Sequence, residues 1–339
     1  MVDLLEEQNC AEYLHSAGYI EPGERVSVRL LTGGVSNVVF RVTREQGRGE
    51  DFVLKQARRQ LRVEQPWFCS VERIWREVEV LQICREVLCT TQLHCVPDEV
   101  QLRPTVSIPK VLFEDRDNYV FAMTAAPRQH TTWKQRLMDG MFDDAIANAC
   151  GELLGVLHAD TWQHMTMANS LGDRQFFLDL RVDPYYRQVA KVHPDLSSEM
   201  DALIDSLDAN RCCIVHGDFS PKNLLVWDEP SPHVMLIDCE VGHFGDPAFD
   251  LGFFLTHLML KTVYHCRHQP RENHQGSLRL VAAFWERYRE ILSRRISPGE
   301  FDVLQQRAVR NLAGCLLARV DGKSPVEYLR DDADVSTVR

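Results

Sequence analysis

Residues 214–226 read Ile214-Val215-His216-Gly217-Asp218-Phe219-Ser220-Pro221-Lys222-Asn223-Leu224-Leu225-Val226. One apolar run leads into a polar loop, and a second apolar run leads out of it. Short apolar runs separated by Gly and Pro are typical of two strands joined by a loop. The loop carries an aspartate and an asparagine, Asp218 and Asn223, between the two predicted strands.

Asp218 and Asn223 stand five residues apart, which is the spacing of a kinase catalytic loop. In such a loop the aspartate accepts the proton of the attacking hydroxyl, and the asparagine side-chain oxygen binds magnesium. The next apolar run, residues 234–237, ends on Asp238-Cys239-Glu240. A carboxylate at the end of a buried strand suits a second magnesium ligand, because Mg²⁺ prefers oxygen ligands. The two strand–loop units together predict a phosphoryl-transfer site that uses ATP and Mg²⁺.

Residues 31–42 predict the phosphate-binding part of this site. A strand leads into a small-residue turn with Gly33 and Gly34, and a return strand begins after Ser36 and Asn37. Two glycines allow the backbone to approach phosphates closely. Because two glycines between strands are usually only a hairpin turn, this interpretation depends on the lysine that follows.

Lys55 lies inside an apolar run, where an unpaired ammonium group would be costly. The next predicted helix, residues 72–87, carries Glu77 on the same face as its apolar side chains Ile74, Val78 and Leu81. We therefore expect a Lys55–Glu77 ion pair that directs Lys55 toward the α- and β-phosphates of ATP.

The order of elements indicates an α+β protein in two segregated parts, because strands come first and helices later. The predicted strands of the first part are Val26 to Leu31, Val38 to Val42, Phe52 to Gln56 and Tyr119 to Met123. Predicted helices follow over Asp143 to His158, Ser197 to Asp208, Ala248 to Lys261, Ser277 to Ser293 and Pro298 to Ala318. The predicted boundary gives a nucleotide-binding N-lobe at residues 1–125 and a helical C-lobe at residues 126–339 with the catalytic loop, metal site and acceptor pocket.

Composition excludes several classes of protein. The chain has 339 residues, of which 45% are hydrophobic and 26% charged, as in globular proteins. No run approaches the roughly 20 apolar residues of a membrane span, and the N-terminus lacks a secretory signal, so we expect a cytoplasmic protein without a membrane partner. The formal net charge of −11 gives no basic footprint for nucleic acid and suits a cationic ligand. Nothing in the composition specifies an oligomeric state.

The His216-Gly217-Asp218 loop and the continuation Gly245-Asp246-Pro247-Ala248-Phe249-Asp250-Leu251-Gly252 resemble the aminoglycoside phosphotransferase and choline kinase superfamily, relatives of protein kinases. The resemblance implies a bilobal protein-kinase-like fold, with Asp218 as the catalytic base and His216 as its support. It implies that Asn223 and Asp238 hold the metal, and that Asp250 ties down the catalytic loop backbone. Its remaining implications are an acidic metal-site position at Glu240 and adenine contacts at Met123, Thr124 and Ala126.

Acceptor identity stays open in the sequence. Residues 53–58, with Arg62-Val63 and Pro66-Trp67, are similar to methylthioribose kinases, but the metal motif of that branch reads Asp-Pro-Glu where this chain has Asp238-Cys239-Glu240. A sugar-like, aminoglycoside-like, choline-like or homoserine-like hydroxyl is compatible with the sequence. The candidate acceptor segments are residues 179–186 and residues 319–325, with Arg319 and Lys323 in the second.

Two alternatives to a small-molecule kinase follow from the same motifs. A nucleotide-binding regulator without turnover would keep the ATP site, but the intact set of Lys55, Asp218, Asn223 and Asp238 disfavours it. A protein kinase would need an Asp-Phe-Gly motif at Asp238 and an Ala-Pro-Glu segment, and the sequence has neither.

Overall fold

The structure, a computed structural model, describes residues 4–32, 34, 36–45, 49–62, 67–92, 105–229, 232–268, 274–329 and 331–339. Strands dominate the first part of the chain and helices the second. The predicted α+β class with two segregated parts is therefore confirmed.

A five-stranded antiparallel sheet forms the first part. The strands met in this part are β1 (Val26–Leu30), β2 (Asn37–Arg44), β3 (Phe52–Ala57), β4 (Thr105–Ser107), β5 (Val111–Asp115) and β6 (Val120–Thr124). All except β4 belong to this sheet, in the order β1-β2-β3-β6-β5. The predicted strand at Tyr119 begins one residue later, because Tyr119 takes a left-handed conformation with φ 52° and ends a tight turn.

Strand β3 lies between two helices. Successive side chains of a strand point to opposite faces, so Phe52 and Leu54 pack with helix α1 (Glu7–Ser16), whereas Val53 packs on the side of helix α2 (Arg73–Gln92). Helix α2 corresponds to the predicted helix and continues beyond it, whereas α1 has no counterpart among the predicted elements. The two helices bury both faces of β3 and hold Lys55 away from solvent.

The second part is mainly helical. Its helices are α3 (Trp133–Met138), α4 (Asp144–Asp160), α5 (Met165–Ser170), α6 (Gln175–Phe177), α7 (Gln188–Val192), α8 (Ser197–Ala209), α9 (Ala248–His268), α10 (His274–Leu292), α11 (Pro298–Asp321) and α12 (Asp332–Val338). Helix α4 packs against α10, and α9 packs against α11. Within the described ranges, no helix combines the length and apolar character that crossing a bilayer requires.

Short strands carry the loops of the site. They are β7 (Thr131–Thr132), β8 (Cys213–Val215), β9 (Leu224–Trp227), β10 (His233–Leu236) and β11 (His243–Gly245). One sheet has the order β4-β10-β9-β7, and β8 pairs with β11. Strand β4 precedes residue 125 yet pairs in parallel with β10, so sheet hydrogen bonds cross the predicted boundary. The division of the chain at that residue stays a prediction.

A ten-residue π-helical segment, Leu178–Arg187, joins α6 to α7. Pro184 lies inside it and lacks the N–H that an α-helix would use at that position. Such wide turns are frequent at functional sites. The segment coincides with residues 179–186, which the sequence marks as a candidate part of the acceptor pocket.

Gly252 permits the close approach of α9 and α11. A Cβ atom at this position would lie 2.6 Å from the backbone N of Leu312 and 2.7 Å from Cβ of Asn311. We expect Gly252→Ala to lower the free energy of unfolding by about 1–3 kcal/mol, because these atoms belong to a packed helix and cannot move aside.

Urea unfolding of the wild type and the variant measures this effect. The matched control is Gly299→Ala in α11, where an added Cβ meets nothing within 4 Å. Alanine should be neutral or stabilising by up to about 1 kcal/mol there. Equal stability changes at the two positions would contradict the packing account.

Candidate active site

The loop between β8 and β9 is held by Asp250 from the first turn of α9. Its Oδ2 accepts the backbone N–H of His216 at 2.7 Å, and its Oδ1 accepts that of Gly217 at 2.8 Å. Gly217 has φ +74°, and a Cβ there would lie 2.8 Å from Cγ1 of Val241, so glycine suits both the conformation and the space. The expected role of Asp250 as a tie for the loop backbone agrees with these contacts.

Asp218 lies at the centre of a ring of donors. Its carboxylate lies 2.7 Å from Nη2 of Arg181 and 3.2 Å from Nζ of Lys222, and it accepts a 2.8 Å hydrogen bond from Nδ2 of Asn223. Burial acts to raise the pKa of Asp218, but the charges of Arg181 and Lys222 outweigh it and hold the pKa below its ordinary value. Asp218 is therefore ionised at neutral pH, and its three contacts fix the orientation of its carboxylate.

His216 supports the loop from behind. Its Nδ1 accepts the backbone N–H of Asp218 at 3.1 Å, and its Nε2 lies 3.2 Å from the carbonyl oxygen of Ile237. These contacts require a neutral ring with the proton on Nε2. Burial lowers the pKa of His216, in keeping with the neutral form. The geometry gives His216 a positioning role between the two loops.

Lys55 contacts both Glu77, its predicted ion-pair partner, and Asp238, the predicted metal ligand. Its Nζ lies 2.5 Å from Oε1 of Glu77 and 3.0 Å from Oδ1 of Asp238. Burial acts to lower the pKa of Lys55, but the carboxylates of Asp238 and Glu77 raise it above its ordinary value. The structure contains the ion pair expected from the sequence, and Lys55 is a charged group at the cleft.

Asp238 has an unusual backbone conformation, with φ +72°. Strained residues of this kind concentrate at functional sites. Burial acts to raise its pKa, but the ammonium groups of Lys55 and Lys222 lower it below the ordinary range. The side chain is still 22% exposed, so it can reach a ligand in the cleft.

Two oxygen atoms beside Asp218 suit a cation. Asn223 directs its amide nitrogen to Asp218, and its Oδ1 has no hydrogen-bond partner in the part of the chain that is described. Among the same residues, Asp238 uses Oδ1 for Lys55 and leaves Oδ2 without a partner. Amide and carboxylate oxygens are the donors that Mg²⁺ prefers. The residues present therefore fit the predicted metal.

Glu240 is engaged elsewhere. Oε1 accepts a 2.5 Å hydrogen bond from Oγ of Ser36, and Oε2 accepts bonds from Nδ2 of Asn37 at 3.2 Å and Nε of Arg73 at 3.1 Å. Arg73 is fully buried and also donates to the backbone oxygen of Ser36. These contacts hold the turn before β2 against the loop that follows β10. Metal binding by Glu240 stays a prediction, and the contacts favour this positioning role.

The residues predicted to contact adenine lie where β6 ends. Arg41 Nη1 donates to the carbonyl oxygen of Ala126 at 2.9 Å, and the N–H of Thr124 donates to the carbonyl oxygen of Lys110. Among the described residues, the N–H of Ala126 has no partner, so it is available to an adenine ring. Met123 lines the cleft. Adenine contacts at these three positions stay a prediction.

One cavity of about 710 Å³ connects these groups. One end, beside β2, β3 and β6, is lined by Gly34, Ser36, Lys55, Met123, Thr124 and Ala126, and the middle by Arg181, Asp218, Lys222, Asn223, Asp238 and Glu240. It continues into the helical part between Tyr185, Phe253, His257, Lys261, Arg319 and Tyr328. The cavity thus extends past Asp218 into the helical part of the chain.

The remaining residues named in the sequence predictions have different positions in the structure. Gly33 lies outside the described residues, as do Val63 and Pro66. Arg319 lines the cavity as expected, whereas Lys323 donates its backbone N–H to Pro184. Asp246 caps α9 through the N–H of Ala248 and also pairs with Arg307.

The sequence did not single out Arg181, Lys222 or Arg73. Arg181 and Lys222 both contact Asp218. A signal existed for Lys222, because it stands four residues after Asp218 in the same loop. A weaker signal existed for Arg73, which lies one helical turn before Glu77.

The sequence model of the phosphotransferase enzyme family matches residues 27–296. The chain belongs to this family. It is also similar to methylthioribose kinase of Cronobacter sakazakii, with 23% identity over 273 residues. That alignment covers 72% of this chain and 62% of the relative, so the chain spans less than two thirds of the relative's length. The family resemblance expected from the His216-Gly217-Asp218 loop is confirmed.

Solved structures show the same fold. The ethanolamine kinase of Plasmodium vivax shares 10% identity at a TM-score of 0.54, covering 97% of this chain and 84% of that one. A macrolide 2'-phosphotransferase of type I shares 14% identity at a TM-score of 0.50, covering 99% of this chain and 97% of that one. At these identities the likeness concerns the fold alone, and it confirms the predicted bilobal architecture.

Proposed function

We propose that this protein transfers the γ-phosphoryl group of Mg·ATP to a hydroxyl group of a small molecule. The observation that carries the proposal is that Lys55, Asp218, Asn223 and Asp238 line one cavity that continues beyond Asp218. A cation for the phosphates, a carboxylate for the hydroxyl and oxygen ligands for the metal are the parts that phosphoryl transfer requires. The names of the relatives, a methylthioribose kinase and an ethanolamine kinase, support a small acceptor.

The nucleotide occupies the end of the cavity beside β2 and β6 in this proposal. The N–H of Ala126 binds the adenine edge, and Met123 borders the ring. The turn at Gly34 lies over the phosphates, with Ser36 and Asn37 fixed behind it by Glu240. Lys55 is held at 2.5 Å by Glu77, which directs its charge at the α- and β-phosphates.

The acceptor binds in the part of the cavity beyond Asp218, away from the adenine, and its hydroxyl faces the carboxylate of Asp218. The hydroxyl oxygen forms a bond to the γ-phosphorus while the bond from that phosphorus to the β–γ bridging oxygen breaks, so ADP is the leaving group. The carboxylate of Asp218 orients the hydroxyl and takes its proton. Mg²⁺ held by Asn223 and Asp238 would supply charge neutralisation at the β- and γ-phosphates.

Arg181 and Lys222 extend this arrangement. Arg181 donates from Nε to the carbonyl oxygen of Gly217 at 2.7 Å and pairs with Asp218 at the same distance. Arg181 therefore fixes the backbone just before Asp218 as well as the Asp218 carboxylate. Lys222 is 46% exposed beside Asp218, within the cavity, and is placed to neutralise the phosphoryl group during transfer.

Arg181→Met tests the positioning role. We expect kcat to fall by about 10–100-fold, because a small misplacement of the reacting groups is costly. Since Arg181 lowers the pKa of Asp218, its removal raises that pKa. The acidic limb of the kcat/KM profile should therefore move to higher pH.

The control is Arg187→Met, at the exposed end of the same π-helical segment. It should leave both kcat and the pH profile at wild-type values. A loss of activity in Arg181→Met with an unmoved acidic limb would contradict a link through Asp218 and indicate a structural role only.

A coupled ADP-release assay with Mg·ATP tests the proposed function. The acceptor panel contains methylthioribose, other sugars, aminoglycosides, choline, ethanolamine and homoserine, and calorimetry measures Mg·ATP binding in parallel. Acceptor-dependent ADP release supports the proposal. Mg·ATP binding without turnover across a broad panel would favour a nucleotide-binding regulator, and the absence of Mg·ATP binding would contradict the proposal.

A further inference from the structure

The part of the cavity beyond Asp218 is rich in positive charge. We call it the acceptor arm and define it by Tyr185, Phe253, His257, Lys261, Arg319 and Tyr328, with Lys134 and Glu327 at its edge. Its three cations, Lys134, Lys261 and Arg319, come from α3, α9 and α11. Glu327 is the acidic residue among these, and it forms an ion pair with Lys134. Among the described residues, Lys261 and Arg319 therefore have no carboxylate within ion-pair distance.

Lys261 is the less satisfied of the two. Its side chain is buried, with the residue only 2% exposed, and its Nζ donates to the carbonyl oxygen of His257 in its own helix at 3.2 Å. In the described part of the chain, no carboxylate lies within ion-pair distance of it. The Tyr328 ring, 5.3 Å away, offers a weak partner. Burial, together with the charges of Lys134 and Arg319, lowers the pKa of Lys261 to about 7.

Arg319 and Tyr328 also keep unused donors. Arg319 donates from Nη1 to Oη of Tyr185 at 3.0 Å and to the backbone oxygen of Ser324 at 2.5 Å. Its Nε and the hydroxyl of Tyr328 are buried without a hydrogen-bond partner among the described residues. Buried donors of this kind normally have a partner. Among the described residues, Lys261 and Arg319 therefore have no carboxylate partner, and the hydroxyl of Tyr328 has no hydrogen-bond partner.

Two residues of the acceptor arm lie outside the part of the chain that the family model matches. Arg319 and Tyr328 follow residue 296, where the match to the family model ends. The charge of the arm is also opposite in sign to the net charge of −11 of the whole chain. The overall charge of the chain therefore does not predict the cationic character of the arm.

We propose that the acceptor carries an anionic group in addition to its hydroxyl, and that Lys261 and Arg319 bind this group. The inference rests on the proposed phosphoryl transfer and narrows its substrate class. A carboxylate or a phosphate has the required chemistry, because charge-assisted hydrogen bonds to such oxygens are the strong ones. The anionic group in the arm then leaves the hydroxyl to face Asp218. A hydroxy acid or a sugar phosphate fits this description, whereas a cationic aminoglycoside or choline does not.

Equilibrium binding with saturating Mg·ADP tests the inference through matched probes. The probes are gluconate and glucose phosphate, with glucose as the neutral counterpart and glucosamine as the cationic one. We expect at least one anionic probe to bind about tenfold or more tightly than glucose, as expected for one hydrogen bond between charged groups. The carboxylate and phosphate probes separate the two sources of the anion.

Lys261→Met removes the charge and keeps an unbranched apolar side chain. It should abolish the preference for the anionic probe and leave Mg·ADP affinity unchanged. Arg319→Gln is the second variant, in case the first fails to fold. Lys191→Met, at an exposed lysine of α7, is the matched control and should keep the preference.

Two results would overturn the inference. One is that neither anionic probe binds the wild type more tightly than glucose, and the other is that the preference survives in both Lys261→Met and Arg319→Gln. Either result leaves the proposed function standing provided that Mg·ATP binds and some acceptor is phosphorylated. Loss of Mg·ATP binding in the wild type would instead contradict the proposed function itself.

Discussion

Replacing Asp218 by Asn lowers kcat by about 10²–10⁴-fold, the usual contribution of a positioned general base. The carboxylate acts on the hydroxyl during transfer, so the affinity for Mg·ATP should change little. The substitution keeps the shape of the side chain and removes its charge. Steady-state ADP release and calorimetry on the same preparation measure the two quantities separately.

Asp218→Asn also has a structural cost that must be measured with it. Arg181, Lys222 and Asn223 all present donors to this side chain, and an amide can accept with only one of its two polar atoms. We therefore expect a lower Tm, and Asp218→Ala provides a second variant without the misplaced donor. The control is Asp205→Asn, at an exposed carboxylate of α8. Equal losses of turnover and Mg·ATP affinity would contradict the role of Asp218 as the base.

Replacing Asp238 by Asn weakens Mg·ATP binding by at least about tenfold, since even groups behind a metal ligand are worth about 10–100-fold in metal affinity. Asn suits this position better than Ala, because it tolerates the left-handed conformation with φ +72° that Asp238 adopts. Lys55 keeps its ion pair with Glu77 in the variant. The loss should therefore be confined to the metal-dependent part of binding.

Calorimetry of ATP binding with Mg²⁺ and with EDTA separates the two parts. The variant should match the wild type in EDTA and differ from it in Mg²⁺. Asp228→Asn, at an exposed carboxylate beyond β9 that pairs with Arg136, should match the wild type in both conditions. Unchanged Mg·ATP affinity in Asp238→Asn would contradict its assignment as a metal ligand.

The sequence predicted the parts of the site that are close together along the chain. Asp218, Asn223 and Asp238 lie on two consecutive strand–loop units, so their relative positions follow from local structure. Lys55 and Glu77 are farther apart, but the cost of a buried lysine predicts a partner, and helix periodicity selects Glu77. The structure brings Lys55, Asp218, Asn223 and Asp238 to one cleft, with Glu77 buried behind Lys55.

Contacts between distant elements could not be predicted in this way. Arg73 and Glu240 are separated by 167 residues, and their contact exists only because α2 packs beside the metal loop. Arg181 reaches Asp218 from a π-helical segment that periodicity does not indicate. Helix α1 was missed because few of its residues are buried, namely Cys10, Tyr13 and Leu14.

The net charge of the chain and the charge of the acceptor arm favour acceptors of opposite charge. The net charge of −11 suits a cation, whereas Lys261 and Arg319 give the acceptor arm the opposite character. Whole-chain charge sums over the entire surface, but a ligand responds to the few groups within a Debye length of its site. The proposal of an anionic acceptor therefore depends on the positions of α3, α9 and α11, which the sequence does not give.

Phosphorus NMR of a reaction mixture tests the central claim most directly. The mixture contains the wild-type protein, Mg·ATP and the acceptor that gives the fastest ADP release. We expect a new phosphate-ester resonance that grows in step with the ADP resonances and is absent with Asp218→Asn. Growth of inorganic phosphate alone would show hydrolysis without transfer and would contradict the claim that this site phosphorylates a hydroxyl.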